Sequence, residues 1–192
     1  MMGATHAESG FAAGFALVAV THPAPLVAVS GPLICAAFAL MPDLDHASSK
    51  ATHSCGIPSE ALSWIIRRLP GGKHRWALHS LTAVAVCAAV AAVIDAMIHG
   101  PWIWVVYAAL GWAMHIAGDL MTDRPVRLLW PFSDRPVWGL PGWHTKVLGV
   151  TLKVRLTTNG PVERGAVRLW LALIIAGSLL LILRHITMTG GV

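Results

Sequence analysis

The chain has 192 residues, of which 56% are hydrophobic and only 12% are charged, and its mean hydropathy is +0.66. Soluble domains carry charge on roughly 25% of their residues, so this composition excludes an ordinary soluble domain and indicates an integral membrane protein. The formal net charge of +5 is not gathered into a basic run of the kind that binds nucleic acid. We therefore expect one all-α membrane domain with modest loops and no nucleic-acid partner.

The first 41 residues predict two helices separated by a break. The opening residues contain no Lys or Arg ahead of the apolar run, so we expect a retained N-terminus and not a cleaved secretory signal. Residues 4–41 are almost entirely apolar, but they contain "THPAP" at 21–25. Proline lacks a backbone donor and disfavours helix at the preceding residue, which predicts two helices of roughly 17 residues, each just long enough to cross a bilayer. The alternative is one long kinked span, which would place the N-terminus on the other side.

Three more apolar runs complete a prediction of about five transmembrane helices in a bundle. Residues 77–98 and 101–118 are separated by a short turn, which predicts an antiparallel hairpin, and residues 166–186 form the most apolar span. The pattern of residues 59–69 predicts a short helix lying in the membrane interface. Partial alternation within residues 137–158 predicts a small β-strand or β-hairpin.

The distribution of cations predicts the orientation of this bundle. With five spans, the N-terminus and the loops 42–76 and 119–165 lie on one side, together with every Lys and Arg except Arg184. The positive-inside rule makes that side cytoplasmic. Such cations also suit contact with anionic membrane lipids.

Polar residues converge on the same predicted side. His115 and Asp119 lie four residues apart, so they share one face of a helix near its end, where each needs a partner in a membrane. "MPDLDH" at 41–46, "HRWALHS" at 74–80 and His6 belong to the other span ends on that side. Imidazole and carboxylate donors with few thiolates favour a catalytic zinc site. The alternative is a set of interhelical hydrogen bonds that only hold the bundle together.

The order of these motifs resembles a known family. His6, "MPDLDHASS", "HRWALHSL" and "GWAMHIAGDLMTDRPVRLLWPF" follow one another as in the predicted membrane-bound, metal-dependent hydrolases that include LexA-regulated inner-membrane members. The resemblance covers roughly residues 1–135 of the single domain 1–192, leaving 136–165 as a cytoplasmic loop and 166–186 as the C-terminal span. That family is distantly similar to the bacterial zinc-dependent phospholipases C.

The resemblance implies a metal-dependent phosphoesterase in a bacterial inner membrane, with its N-terminus and site cytoplasmic. One or two divalent ions, expected to be Zn²⁺, would activate water against a phospholipid or another phosphate ester. Asp45 or Asp43 would take the proton from that water, and Arg75 would bind a phosphate oxygen. His74 matches a motif position as a further catalytic candidate, whereas His46, Ser80 and Thr122 match positions without an assigned role. The metal ligands implied are His6, Asp43, His79, His115 and Asp119.

Other functional classes fit the sequence less well. A transporter is expected to place its polar groups near the bilayer midplane, whereas here they lie at one end of the spans. The chain has no H-E-x-x-H motif, which argues against a membrane metalloprotease. The remaining alternative is a non-catalytic metal-binding or structural membrane protein.

Overall fold

The computed structural model describes residues 1–122, 124–137, 144–147, 150–153 and 157–189. Within these residues the protein is a helical bundle, which confirms the predicted all-α membrane class. Its α-helices are α1 (Gly3–Thr21), α2 (Pro25–Phe38), α3 (Ile57–Ile66), α4 (Leu81–Ile98), α5 (Ile103–Leu120) and α6 (Arg168–Thr189). Two 3₁₀ turns, Met41–Asp45 and Ala77–His79, follow α2 and precede α4.

The break in the first apolar region lies where the prolines predict it. Helix α1 ends at Thr21, and His22 takes a left-handed conformation with φ of 46° while its N–H bonds the carbonyl of Val18. Helix α2 then begins at Pro25, because a missing N–H is tolerated in the first turn of a helix. Two helices form, and the alternative of one long kinked span is wrong.

Four segments are long and apolar enough to cross a membrane: Pro25–Asp45, Leu81–Ile98, Ile103–Leu120 and Glu163–Thr189. The fifth predicted span, α1, has 19 residues but carries His6 and Glu8 in its early turns. It packs against α2, α5 and α6, and its small residues are buried between them. A helix enclosed by its neighbours needs less apolar surface than one that faces lipid.

Close helix contacts bring the ends of α1, α2 and α5 together. A Cβ added at Gly10 of α1 would lie 2.6 Å from the carbonyl oxygen of Cys35 in α2. A Cβ at Gly111 of α5 would meet the backbone of the same residue. Small residues allow backbones to approach in this way within membranes. Helix α4 packs against α5 and leaves most of its surface exposed.

The shorter predicted elements are also present. Helix α3 covers most of the region predicted as an interfacial helix, and it exposes Ile57, Trp64 and Ile65. Strands β1 (His144–Val147) and β2 (Val150–Lys153) pair antiparallel with His144 opposite Lys153, which confirms the predicted hairpin. The position of α3 at a membrane surface stays a prediction.

Candidate metal centre

All five predicted metal ligands meet at one end of the bundle. His6 lies in the first turns of α1, Asp43 and His79 lie in the two 3₁₀ turns, and His115 and Asp119 lie at the end of α5. The three imidazoles are fully buried, and Asp119 is 1% exposed. The structure thus brings together the residues that four separate chain segments contribute.

His79 lies at the middle of this cluster. Its Nε2 atom is 3.0 Å from Nε2 of His115 and 3.3 Å from Oδ2 of Asp119. Its Nδ1 atom is 3.1 Å from Oδ2 of Asp45, although the two atoms are not aligned for a hydrogen bond. Both edges of the ring therefore face other polar groups of the cluster.

A backbone carbonyl sets the tautomer of His115. Nδ1 of His115 lies 2.7 Å from the carbonyl oxygen of Ala39, which can only accept, so the ring proton is assigned to Nδ1. Nε2 then keeps its lone pair and lies 3.7 Å from Oδ1 of Asp43. In metal-binding histidines, the ring nitrogen that does not bind the metal typically donates a hydrogen bond of this kind. The sequence did not predict the role of Ala39. Every residue has a backbone carbonyl, so no residue type indicates which carbonyl will accept this hydrogen bond.

His6 is stacked against His115 and has unused hydrogen-bonding atoms. The two ring centroids are 3.7 Å apart, and Nε2 of His6 lies 3.4 Å from Oδ1 of Asp119. Among the described residues, neither nitrogen of His6 has a hydrogen-bond partner. Gly118 makes room for the ring, since an added Cβ would lie 3.3 Å from its Cε1 atom. An unpartnered buried imidazole is unfavourable unless another group binds it.

The two aspartates of "MPDLDH" have different surroundings. Asp45 is 3% exposed and accepts hydrogen bonds from Nδ1 of His74 at 2.7 Å and from the backbone N–H of Arg75 at 3.2 Å. Asp43 is partly exposed and faces His115. An extended turn would point the two carboxylates apart, but the 3₁₀ turn places both at the cluster. Asp45 thus orients imidazoles, and Asp43 is open to a ligand.

Arg75 makes contacts within the protein that the sequence did not predict. Its side chain is buried, and it donates to Oδ1 of Asp119 at 3.0 Å, to Oγ1 of Thr122 at 2.8 Å and to the carbonyl of Arg124 at 2.6 Å. Both terminal nitrogens are therefore engaged within the protein, whereas Nε has no hydrogen-bond partner among the described residues. The guanidinium thus holds the carboxylate of Asp119 in place.

The negative charges of the cluster produce an electrostatic potential that favours a cation. Burial by itself lowers the pKa of His79, but the nearby carboxylates of Asp119 and Asp45 outweigh burial and raise that pKa to about 9. Asp119 also accepts a hydrogen bond from the amino group of Met1 at 2.7 Å. Carboxylates at this position therefore stabilise positive charge, whether a proton or a metal ion supplies it.

The donor atoms fit a zinc-like ion by type and separation. Two ligands that each lie about 2.0–2.2 Å from one ion are themselves about 3–4 Å apart, which is the range found around His79 and His115. Three sets of donors lie within 4.8 Å of one another: Asp43, Asp45, His74 and His79; His6, Asp43 and His115; and His79, His115 and Asp119.

Two cavities adjoin the centre. A polar cleft of about 490 Å³ is lined by residues that include Asp43, His74 and Arg75. An apolar groove of about 380 Å³ runs along α4 with Trp112 of α5 in its wall, and its lining includes Ala77 and Leu78, next to His79. The centre therefore lies between the polar cleft and the apolar groove.

Three other histidines lie away from the cluster. His22 and His185 stack on each other at 3.6 Å, at the end of the bundle where α1 ends. His53 is exposed and pairs with Glu60. These residues do not join the cluster.

Comparison with family models matches residues 1–188 to the YdjM inner membrane protein family, and the chain therefore belongs to that family. No curated protein and no solved structure matches the chain. The family description establishes an inner membrane protein. It names no activity and adds nothing to the likeness to hydrolases and phospholipases C.

Proposed function

We propose that this member of the YdjM inner membrane protein family is a metal-dependent hydrolase that cleaves a phosphate ester, with a phospholipid as substrate. The observation that carries the proposal is the convergence of His6, His79, His115 and Asp119 at ligand-like separations. Within the described part of the chain, both nitrogens of His6 also lack a hydrogen-bond partner. A cluster that only held helices together would be expected to satisfy its buried nitrogens internally.

One or two Zn²⁺ ions would be held by the five residues that the sequence singles out. When bound, such an ion lowers the pKa of a coordinated water towards about 7 and neutralises charge on phosphoryl oxygens. Ala39 and Arg75 support this role, because they orient His115 and Asp119 from outside the ligand set. The ligands are His6, Asp43, His79, His115 and Asp119.

Proton transfer is assigned to His74, with Asp45 as the residue that orients it. The carboxylate of Asp45 holds Nδ1 of His74, and the imidazole is partly exposed and lines the polar cleft. A carboxylate that fixes one ring nitrogen leaves the other free to accept or donate a proton. This assignment refines the expectation that Asp45 itself takes the proton.

A lipid substrate is supported by the apolar groove and by the position of the charges. A hydrocarbon chain in the groove beside Leu78 and Trp112 would bring the polar end of the lipid towards His79. The loops predicted to lie on the same side as the centre contain almost all Lys and Arg of the sequence, which supports a site at the cytoplasmic face.

The proposal is tested on detergent-purified protein by metal analysis and by hydrolysis assays. We expect about one or two zinc ions per chain, with activity on a soluble phosphodiester or on phospholipid vesicles that chelation removes and zinc restores. His115→Ala should lose metal and activity, whereas His185→Ala, a control at the other end of the bundle, should retain both.

Two outcomes would count against it. Purified protein that binds no metal, or unchanged activity in His115→Ala, would contradict a metal-dependent hydrolase. Bound zinc without hydrolysis of any phosphate ester would instead indicate a non-catalytic metal-binding protein.

A further inference from the structure

The polar cleft contains two cations that the centre itself does not use. Lys50 and Arg124 are exposed residues that line the cleft together with Asp43 and His74. Among the described residues, neither of the two side chains makes a hydrogen bond or a salt bridge. Arg75, which also lines the cleft, has its terminal nitrogens engaged by Asp119, Thr122 and a backbone carbonyl.

Several neighbouring cations on this side of the protein are occupied. The guanidinium of Arg68 lies 4.1 Å from the ring centroid of Trp64, and that of Arg127 lies 4.6 Å from the ring centroid of Trp76. Arg168 is paired with Glu8. Among the described residues, Lys50 and Arg124 have no such partner, and both line the polar cleft next to the centre.

Arg75 is a further sign of a built anion-binding site. The residue is only 7% exposed, and its Nε atom has no hydrogen-bond partner among the described residues. The hydroxyl-bearing residues Ser48 and Thr157 also line the cleft. Cationic and hydroxyl donors around one cavity are the groups that bind phosphate oxygens.

We propose that Lys50 and Arg124 form the phosphate-binding subsite of the polar cleft, and that they select ligands with an anionic phosphate group over zwitterionic ones. This inference rests on the proposed function for its substrate class, since it gives Lys50 and Arg124 the role that the sequence suggested for Arg75. Two positive charges at one cleft attract a phosphate dianion and disfavour a headgroup that carries its own ammonium.

Calorimetric titration of the detergent-purified protein tests this assignment. The probes are inorganic phosphate, dihexanoyl phosphatidic acid and dihexanoyl phosphatidylcholine, added below their micellar concentrations. We expect Lys50→Ala and Arg124→Ala each to weaken binding of phosphatidic acid about fivefold to tenfold, since each removes one charge-assisted contact. Arg135→Ala removes the same charge outside the cleft and should change binding less than about twofold.

The other probes identify the chemistry of the ligand. Phosphatidylcholine should bind at least about tenfold more weakly than phosphatidic acid to the wild-type protein. Tighter binding of phosphatidic acid than of inorganic phosphate indicates a lipid headgroup, whereas equal affinities indicate free phosphate at the same subsite. Equal binding of phosphatidic acid and phosphatidylcholine would overturn the proposed selectivity.

Zinc content, measured in every variant, separates this inference from the proposed function. Normal zinc with weakened phosphate binding in Lys50→Ala and Arg124→Ala supports the subsite. Wild-type protein that binds no phosphate, or variants that bind phosphatidic acid as tightly as wild type, would overturn it even if the centre holds zinc. Phosphate binding that depends on Lys50 and Arg124 in a protein without zinc would refute the proposed function and leave the subsite standing.

Discussion

Replacing Asp119 by Asn is the sharpest perturbation of the centre, because the amide keeps the shape of the side chain and removes its charge. The carboxylate lies 3.3 Å from Nε2 of His79, 3.4 Å from Nε2 of His6 and 3.0 Å from Nη2 of Arg75. The substitution therefore removes a proposed metal ligand and also leaves the buried guanidinium of Arg75 without its carboxylate partner.

The size of both effects follows from these contacts. Loss of residues that only orient metal ligands lowers metal affinity about 10-fold to 100-fold, so loss of a direct ligand should lower it by at least about 100-fold, or about 2.7 kcal/mol. Leaving Arg75 unpaired destabilises the folded state by about 3 to 5 kcal/mol. Asp119→Asn should therefore show weaker zinc binding together with a lower midpoint of thermal unfolding.

The assay is zinc titration against a competing chelator, with size-exclusion chromatography to confirm that each variant is folded. Asp95→Asn is the matched control, because Asp95 is also a buried aspartate within a span, towards the other end of α4. Asp43→Asn is the companion that is milder for stability, since Asp43 is partly exposed and pairs with no buried Arg among the described residues; as a proposed direct ligand, its loss should also lower zinc affinity at least about 100-fold. Folded Asp119→Asn and Asp43→Asn proteins that bind zinc as tightly as wild type would refute the ligand assignment.

Three further predictions concern the membrane orientation, the role of His6 and the protonation of His79. Cys55 is exposed, whereas the other two cysteines are buried. A membrane-impermeant thiol reagent should therefore label Cys55 in inverted inner-membrane vesicles and not in spheroplasts. The reverse labelling pattern would place the centre on the periplasmic side. In Gly118→Val the new side chain would meet Sδ of Met1 at 2.7 Å and Cε1 of His6 at 3.3 Å, so the ring should be displaced and zinc affinity should fall at least about 10-fold by chelator competition. Unchanged affinity would argue against His6 as a ligand. Because the pKa of His79 is raised to about 9 in the metal-free protein, the ring is protonated at neutral pH and zinc must displace that proton. Calorimetry of zinc binding in buffers of different ionisation enthalpy should therefore detect proton release at about pH 7.5. Zinc should also bind more tightly as the pH rises towards 9, and an affinity that is independent of pH would contradict this role of His79.

The sequence was sufficient for the long helices and for the end of each one that carries polar groups. Proline chemistry marks the break between α1 and α2, because a missing donor and a restricted backbone act within a few residues. Span length and helical period then place His115 and Asp119 at the end of α5. These are local properties, so neighbouring residues in the chain are enough to determine them.

Tertiary structure alone decided which atoms face each other within the centre. The carbonyl that sets the tautomer of His115 comes from Ala39, and Arg75 binds Asp119 inside the protein, whereas Lys50 and Arg124 remain free in the cleft among the residues described. Each of these pairings joins residues far apart in the chain, and each depends on how closely α1, α2 and α5 pack. Local sequence determines where a helix begins and ends, but the packing of the bundle determines which partners lie within hydrogen-bonding distance.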